Sequence, residues 1–446
     1  MDFVADLARQ MCAVTIDDLP AKTLEHAKMT VASSLAAAVA ARSSEPVMIV
    51  RRLITERAAP GPASVWFAGM SGLPIVDAAR LNHMAADESM ADDSALMNGS
   101  HLGSAVTAAA FAAAESTGAS GAAMLTAVVV GYEAAVRLGR AEAELRAERH
   151  AHVSGLNAFG AAVASAYLLG SGPDRTAHAI TLAATGAAGI DRVSTTPVRS
   201  YQAGTAVAAG IDAALTAHHG YRTTPAVLDR YLDLITFSGE RTGRELPDDA
   251  EPGAGWAIDS ELIIKLRPGA FLFGSAVEAA IRVATAYDLT PQTMDRVVVR
   301  GHRFAAEDPA ARPPGSGSLS YYVASALVRR SFRWDHFSAA AGDADLIAAV
   351  QESVVIEPVP AAQAPGAWGW AAEVIVTDRT GTSWRAVVDL PPGAVVAGVD
   401  WAVVDDKVHE LMIGAGIGTD LIGQFLDQVK DLETAASMND LARIIK

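Results

Sequence analysis

The stretch from residue 85 to residue 106, AADESMADDSALMNGSHLGSAV, places groups that exchange protons or bind cations ahead of a long apolar run. Converging carboxylates would indicate a divalent-metal site, whereas a histidine beside them would indicate acid/base chemistry. The same acids could also mark an ordinary helix entrance, where the helix dipole favours negative charge. The groups concerned are Asp87, Glu88, Asp92, Asp93, Ser94 and His101.

The acids of this stretch occur as two adjacent pairs, Asp87–Glu88 and Asp92–Asp93. Adjacent residues point in different directions from a helix or a turn, so their spacing does not predict convergence on a metal ion. We therefore predict no metal, and a solvated helix entrance for most of the acids. That interpretation leaves His101 unexplained, and His101 becomes the candidate acid/base group.

Two further histidines, His150 and His152, precede a second helix rich in small residues, in the segment AERHAHVSGLNAFG. Histidines at two separate helix entrances are typical of acid/base groups around a cleft, because imidazole titrates near neutral pH. Three basic residues could add an anion clamp for carboxylates if they converge. They are Arg199 in TTPVRSYQAG, and Lys265 and Arg267 in IIKLRPGAF.

Charge and composition exclude several classes of function. The net charge of −16 and the lack of a basic patch argue against nucleic acid as a partner. A single cysteine, Cys12, excludes an internal disulfide framework and a cysteine-rich metal site. No dinucleotide-binding fingerprint or phosphate-binding loop occurs. The N-terminal segment does not resemble a signal peptide, and charged or polar residues interrupt the longest apolar runs. We expect a cytoplasmic protein that does not contact membranes.

The elements that must position these residues are mainly helical. Residues 1 to about 220 contain successive alanine-rich apolar runs, most of them ending beside a glycine that can cap a helix. After residue 255, β-rich segments alternate with helical ones, and Asp378–Gly381 predicts a hairpin turn. We predict a mainly α fold, with a large all-helical domain (1–255), a smaller α+β lid domain (256–400) and C-terminal helices (401–446) returning to the first domain.

Several segments, in order along most of the chain, resemble the MmgE/PrpD family. They are AARLN, DDS followed by HLGSAV, GLNAFGAAVASAYLLG, AGTAVAAGIDAALTAHHGY, KLRPGAF and SLSYYVASAL. The resemblance implies a helical domain with an α+β lid, a homodimer, and a site between the domains that uses neither metal nor cofactor. It also implies small polycarboxylate substrates, which lose a proton next to a carboxylate and then lose water, lose CO2 or are reprotonated.

The family's aspartate-rich loop, D-x-D-D-T, corresponds to residues 90–94, where Met90 replaces the first aspartate. His101 matches the histidine of the family's next motif. The family's second histidine corresponds to His152, or to His150, only with a one-residue shift. The helical domain therefore retains one histidine of this pattern directly.

Other family positions are retained in part. Arg199 preserves a positive charge, whereas Gln202 replaces a histidine. The K-x-x-P motif is kept as Lys265 to Pro268, but Gly274 stands where a further histidine is expected, and Tyr322 matches a family tyrosine. Together, residues and resemblance assign catalysis to His101, His152, Lys265 and Tyr322, and substrate binding to Asp92, Asp93, Ser94, Arg199, Gln202 and Arg267.

The function predicted from the sequence is that of a cofactor-independent lyase, a dehydratase or decarboxylase acting on a small carboxylate substrate. Three alternatives remain open at this point. They are an epimerase or isomerase of an amino- or imino-dicarboxylate, a specialised-metabolism enzyme for a larger and less charged substrate, and a dimeric scaffold without catalysis.

Overall fold

The computed structural model is mainly α-helical, with a smaller α+β part near the C-terminus, which confirms the predicted fold class. The chain divides into two compact units, one formed by residues 1–264 and 399–446 and the other by residues 265–398. The structure describes residues 3–97, 99–140, 155–187, 189, 196, 198–224, 226–228, 230–231, 255–304, 317–336, 343–360 and 369–445.

In its described parts, the first unit is a helical assembly with two short antiparallel strand pairs, β1 with β2 and β3 with β4. Its strands are β1 (Ala63–Val65), β2 (Met70–Leu73), β3 (Ser94–Ala95) and β4 (Leu262–Ile263). Its helices up to residue 264 are α1 (Phe3–Ala13), α2 (Ala21–Ala41), α3 (Glu45–Arg57), α4 (Ile75–Glu88), α5 (Leu102–Thr117), α6 (Gly121–Arg140), α7 (Gly155–Leu168), α8 (Gly172–Ala183), α9 (Val198–His218) and α10 (Ile258–Glu261).

Small side chains let these helices approach closely, as the alanine-rich composition predicts. A Cβ on Gly131 in α6 would lie 2.8 Å from the carbonyl oxygen of Gly160 in α7, so any larger residue would push the backbones apart. Helix α5 is buried along nearly its whole length and ends at Gly118, whose φ of 65° suits glycine. A helix with every face buried must lie inside the unit.

Helix α6 is long and apolar enough to cross a membrane by length and composition. In this structure, 83% of an apolar 18-residue stretch of this helix is buried inside the protein. Its neighbours are other helices, chiefly α7 and α5. Helix α6 therefore has the environment of a core helix.

The second unit is built on a four-stranded sheet in the order β6-β5-β7-β8. Strands β5 (Met294–Gly301) and β6 (Val354–Pro358) are parallel, whereas β7 (Ala372–Asp378) and β8 (Ser383–Val388) form an antiparallel hairpin. The predicted turn is present, because Asp378 Oδ1 accepts hydrogen bonds from the backbone N–H groups of Thr380 (2.8 Å) and Thr382 (2.9 Å). The helices within the described residues of this unit are α11 (Gly274–Ala286), α12 (Leu319–Arg329) and α13 (Ala344–Glu352).

Three C-terminal helices complete the first unit: α14 (Trp401–Gly414), α15 (Thr419–Lys430) and α16 (Met438–Ile444). Helices α14 and α15 both pack on α2. The end of the chain thereby contributes side chains to the same helical core as the residues around position 90.

Candidate active site

His101 stands at the entrance of α5, as its N-cap residue, and is held there by two carboxylates. Its Nδ1 hydrogen-bonds to Asp92 Oδ2 and lies 3.2 Å from Asp87 Oδ2. The histidine side chain is 12% exposed, whereas both aspartates are fully buried. Both contacts are made by Nδ1, and no described residue binds Nε2. The ring is thus oriented with Nε2 available to another molecule.

Asp87, in the last turn of α4, also forms a buried ion pair with Arg199 of α9. Arg199 Nη1 lies 2.8 Å from Asp87 Oδ1, and its Nη2 donates a hydrogen bond to the Asp87 carbonyl oxygen. The guanidinium therefore binds both the carboxylate and the backbone of one residue. In this arrangement the carboxylate that Arg199 holds belongs to the protein itself.

Asp93 belongs to a second buried network, beside the first. Its carboxylate accepts hydrogen bonds from Thr30 Oγ1 (2.6 Å) and Ser33 Oγ (2.5 Å), both in α2. Lys407 Nζ of α14 lies 3.3 Å from Asp93 Oδ1. Burial raises the pKa of Asp93, although Lys407 and the two hydroxyl groups oppose that rise. Asp93 thus joins the loop before β3 to two helices.

The acids between residues 87 and 93 differ from the expected solvated helix entrance. Asp87, Asp92 and Asp93 are fully buried, and only Glu88 is partly exposed. Each buried carboxylate contacts a basic residue, because an isolated charge in the protein interior is strongly unfavourable. The prediction of solvation was wrong because the end of α4 and the loop after it pack against α5, α9 and α14. Spacing along the sequence does not reveal these contacts.

His83 lies fully buried in α4, one helical turn before Asp87. Asn157 Nδ2 donates to His83 Nε2 (3.1 Å), which assigns the proton to Nδ1, facing Ser104 Oγ at 3.1 Å. Ser104 Oγ in turn donates to the His101 carbonyl oxygen (3.4 Å). Burial lowers the pKa of His83 to about 3; Asp92 opposes this fall, whereas His101 adds to it. His83 is therefore neutral, and it supports the start of α5 through Ser104.

The loop between α4 and β3 contains an unusual backbone conformation at Met90, whose φ is 58°. This left-handed region is unfavourable for most residues, but aspartate, asparagine and glycine adopt it more readily. Ser94 follows in β3, where it pairs with Ile263 of β4. Its hydroxyl is buried and receives no hydrogen bond from the described parts of the chain.

The remaining predicted residues have separate surroundings. Gln202 lies in α9, three residues after Arg199, and is partly exposed. In the second unit, Lys265 is buried, and Arg267 donates from Nη2 to Glu278 Oε2 (3.0 Å). Tyr322 of α12 is also buried, and its ring stacks on Phe332 with the centroids 5.0 Å apart. The Tyr322 hydroxyl accepts a hydrogen bond from the backbone N–H of residue 270 (3.4 Å).

The structure therefore brings some predicted residues together and leaves others untested. Asp92 and His101 are in contact, and Asp87 links them to Arg199. His150 and His152 lie outside the described residues, so the second predicted histidine stays a prediction.

Among the described residues, one group of side chains has the spacing of a metal site. Ligand atoms of Asp87, Asp92 and His101 all lie within 4.8 Å of one another. Two carboxylates and an imidazole are suitable donors for a divalent transition metal. However, Arg199 already occupies Asp87 Oδ1, and its positive charge would repel a cation. The observed contacts fit a hydrogen-bonded acid/base network without further ligands.

Sequence reasoning gave no site role to three residues of this network: Asp87, His83 and Lys407. A signal existed for two of them, because His83 and Asp87 are four residues apart and share one face of α4. Ala79, Ala86 and other apolar residues of that helix are buried with them, which marks a core-facing surface. No local signal identifies Lys407, which lies more than 300 residues away in the sequence.

Comparison with known proteins gives the family. Residues 5–237 match the MmgE/PrpD N-terminal domain, and residues 268–417 match the MmgE/PrpD C-terminal domain. These two matches cover most of the chain, which belongs to the MmgE/PrpD family. The predicted resemblance is confirmed.

One fungal relative is named as a decarboxylase-like protein. The chain is 26% identical over 377 residues to a cis-aconitate decarboxylase-like protein, oryM, of Aspergillus oryzae. The similarity covers 77% of this chain and 77% of the relative. Both family and relative support a lyase-type enzyme in general.

Proposed function

We propose that this protein is a cofactor-independent lyase, a dehydratase or decarboxylase, in which His101 exchanges a proton with a substrate carbon next to a carboxylate. One observation carries the proposal. Nδ1 of His101 is held by the buried carboxylate of Asp92, while no described residue binds Nε2. Family membership and the decarboxylase-like relative support the same class of reaction.

The proposed proton transfer serves either reaction. In a dehydration, Nε2 removes the proton, the electron pair of that C–H bond forms a C=C bond, and the β-hydroxyl takes up a proton from the resulting imidazolium and leaves as water. In a decarboxylation, the electron pair of the breaking C–C bond passes to the substrate carbon as CO2 leaves. That carbon takes a proton from the imidazolium, and the resulting neutral imidazole regains a proton from water before the next turnover. One imidazole can thus act as base or acid.

Asp92 would support His101 in both directions. A buried carboxylate at Nδ1 fixes the ring tautomer and stabilises the imidazolium that forms when Nε2 takes a proton. Asp87 lies 3.2 Å from the same nitrogen, but its charge is shared with Arg199. We therefore propose that Asp92 is the main support of the His101 ring, whereas the Asp87–Arg199 pair balances the charge beside it.

A second candidate function, turnover of a larger and less charged substrate, is favoured by one observation. Arg199 is 5% exposed and already pairs with Asp87, so its positive charge is largely neutralised. A substrate carboxylate would have to compete with Asp87 for Arg199. We retain the small carboxylate substrate as the first proposal.

The test incubates the protein with a panel of mono-, di- and tricarboxylates and their monoesters in deuterated water, followed by proton NMR. Alkene signals with loss of water identify a dehydratase, and CO2 release identifies a decarboxylase. Deuterium uptake at the α-carbon without net conversion would identify an epimerase and contradict the lyase proposal. Turnover of monoesters in preference to free acids would favour the less charged substrate.

A variant links turnover to His101. His101→Asn should lower kcat by about 10²- to 10⁴-fold while retaining the circular dichroism spectrum. His302→Asn, at an exposed position of the second unit, is the matched control and should leave kcat unchanged. Full activity of His101→Asn would overturn the role of His101. Loss of wild-type activity in a chelator, restored by a divalent cation, would overturn the cofactor-independent mechanism.

A further inference from the structure

Lys407, in the first half of α14, ends in the interior of the helical unit. Its side chain is 2% exposed. Its Nζ donates hydrogen bonds to Ser33 Oγ (2.6 Å) and to the Ala91 carbonyl oxygen (2.8 Å), and lies 3.3 Å from Asp93 Oδ1. A buried ammonium group is tolerated only where such acceptors surround it. Lys407 is thus bound to several fixed acceptors.

Two of those acceptors belong to the residues on either side of Asp92. Ala91 precedes Asp92 in the chain and Asp93 follows it. The ammonium group therefore holds the backbone before Asp92 and the side chain after it. With both neighbours fixed, the Asp92 carboxylate has little freedom to leave the imidazole of His101.

The same loop needs external support because its own conformation is unfavourable. Met90, directly before Ala91, has a φ of 58°. Backbone strain of this kind persists only where surrounding contacts hold the chain in place. The hydrogen bond from Lys407 to the Ala91 carbonyl is such a contact, and it comes from the far end of the chain.

We propose that Lys407 is a positioning residue: it clamps the loop on both sides of Asp92 and so keeps the carboxylate against His101 Nδ1. The inference rests on the proposed function, because it concerns the orientation of the histidine that exchanges protons. It gives α14 a role in the chemistry in addition to covering the core. Lys407 acts through Asp92 and does not touch substrate.

The first measurement needs no substrate. With ¹⁵N-labelled histidine, the Nδ1–H proton of His101 that binds Asp92 gives a far-downfield proton signal, assigned by its loss in His101→Asn. Lys407→Met should shift or broaden this signal and lower kcat by about 10- to 100-fold with a smaller change in KM, as expected for a misplaced catalytic group. Lys430→Met, which removes a partly exposed ion pair between α15 and Asp405 of α14, is the control and should change neither.

A double variant separates positioning from folding. Lys407→Met leaves the Asp93 carboxylate buried without its cation and lowers the urea midpoint. Lys407→Met/Asp93→Asn removes both charges and should recover most of that midpoint, yet the clamp on Ala91 stays broken. The proposal expects the His101 signal and kcat to remain altered in the double variant.

The outcomes are decisive in both directions. Return of the His101 signal to its wild-type position together with the urea midpoint would show a purely structural role and overturn the proposal. An unchanged signal in the single variant would overturn it as well. A failure of the proposed function gives a different result from a failure of this inference. Absence of turnover in the wild type would refute the proposed function, whereas the dependence of the His101 signal on Lys407 can be measured in the same protein without any substrate.

Discussion

Arg199 Nη1 and Asp87 Oδ1 lie 2.8 Å apart, and the two side chains are 6% and 0% exposed. The pair joins α9 to the last turn of α4, directly beside His101. Two opposite charges with so little solvent can be separated only at a high free-energy cost. This relationship connects the stability of the helical unit to the chemistry of its histidine.

Breaking that pair from one side should be strongly destabilising. Arg199→Met leaves the Asp87 carboxylate buried and uncompensated, which lowers the free energy of unfolding by about 3–5 kcal/mol. The double variant Asp87→Asn/Arg199→Met should recover part of the loss. Urea denaturation measures each variant.

The control for this prediction is Arg443→Met. Arg443 pairs with Asp440 at 2.9 Å, but the two side chains are 72% and 48% exposed, so the loss should stay below about 1 kcal/mol. Equal losses in Arg199→Met and Arg443→Met would contradict the interpretation that burial makes the Asp87–Arg199 pair important.

His83 should make the protein sensitive to acid. In the folded protein the pKa of His83 is lowered to about 3 from an ordinary value of 6.5, so the unfolded chain binds the extra proton between these pH values. Stability therefore rises with pH through this window and falls as the pH decreases. The contribution of His83 should decrease by about 2 kcal/mol between about pH 7.5 and about pH 5.

The comparison that isolates this effect is the pH dependence of urea midpoints in His83→Asn. That variant should lose about 2 kcal/mol less than the wild type over the same pH range, whatever its stability at neutral pH. His302→Asn, at an exposed site, should keep the wild-type pH dependence. Parallel pH profiles for wild type and His83→Asn would show that His83 is not the group responsible.

Replacing Met90 by asparagine should stabilise the protein. The φ of 58° at Met90 is unfavourable for methionine and more readily adopted by asparagine, so Met90→Asn should raise the free energy of unfolding by about 0.5–1 kcal/mol. The same exchange at Met48, an exposed position in α3, should have the opposite sign because asparagine is a poor helix former. Thermal denaturation of both variants checks the prediction, which a destabilised Met90→Asn would refute.

Gly103 should not tolerate a methyl group. A Cβ at this position in α5 would lie 2.5 Å from Thr30 Oγ1 and 2.7 Å from Asp93 Cβ, so Gly103→Ala should cost about 1–3 kcal/mol. Gly423 in α15 has open space around its Cβ position, and Gly423→Ala should stabilise the protein by about 0.5–1 kcal/mol. Chemical denaturation of the two variants should therefore give changes of opposite sign.

Local sequence patterns predicted much of the fold. Alanine-rich runs with glycine at their ends became helices such as α5, and the segment around Asp378 became the turn between β7 and β8. These features depend on interactions between residues close in the chain, namely helix propensity, caps and turn chemistry. His101 could also be located at a helix entrance from sequence alone, because a change from polar to apolar residues marks such a boundary.

The chemical environment of His101 was decided by tertiary packing. The acids at positions 87, 92 and 93 resemble a solvated helix entrance in sequence, yet all three are buried, because α9 contributes Arg199 and α14 contributes Lys407. These partners lie more than 100 and more than 300 residues further along the chain. The free energy of a buried charge depends on which groups surround it in space, and spacing along the chain does not contain that information. The sequence by itself therefore determined the helices and the candidate histidine, whereas the tertiary structure decided which carboxylate supports that histidine and which cations balance the others.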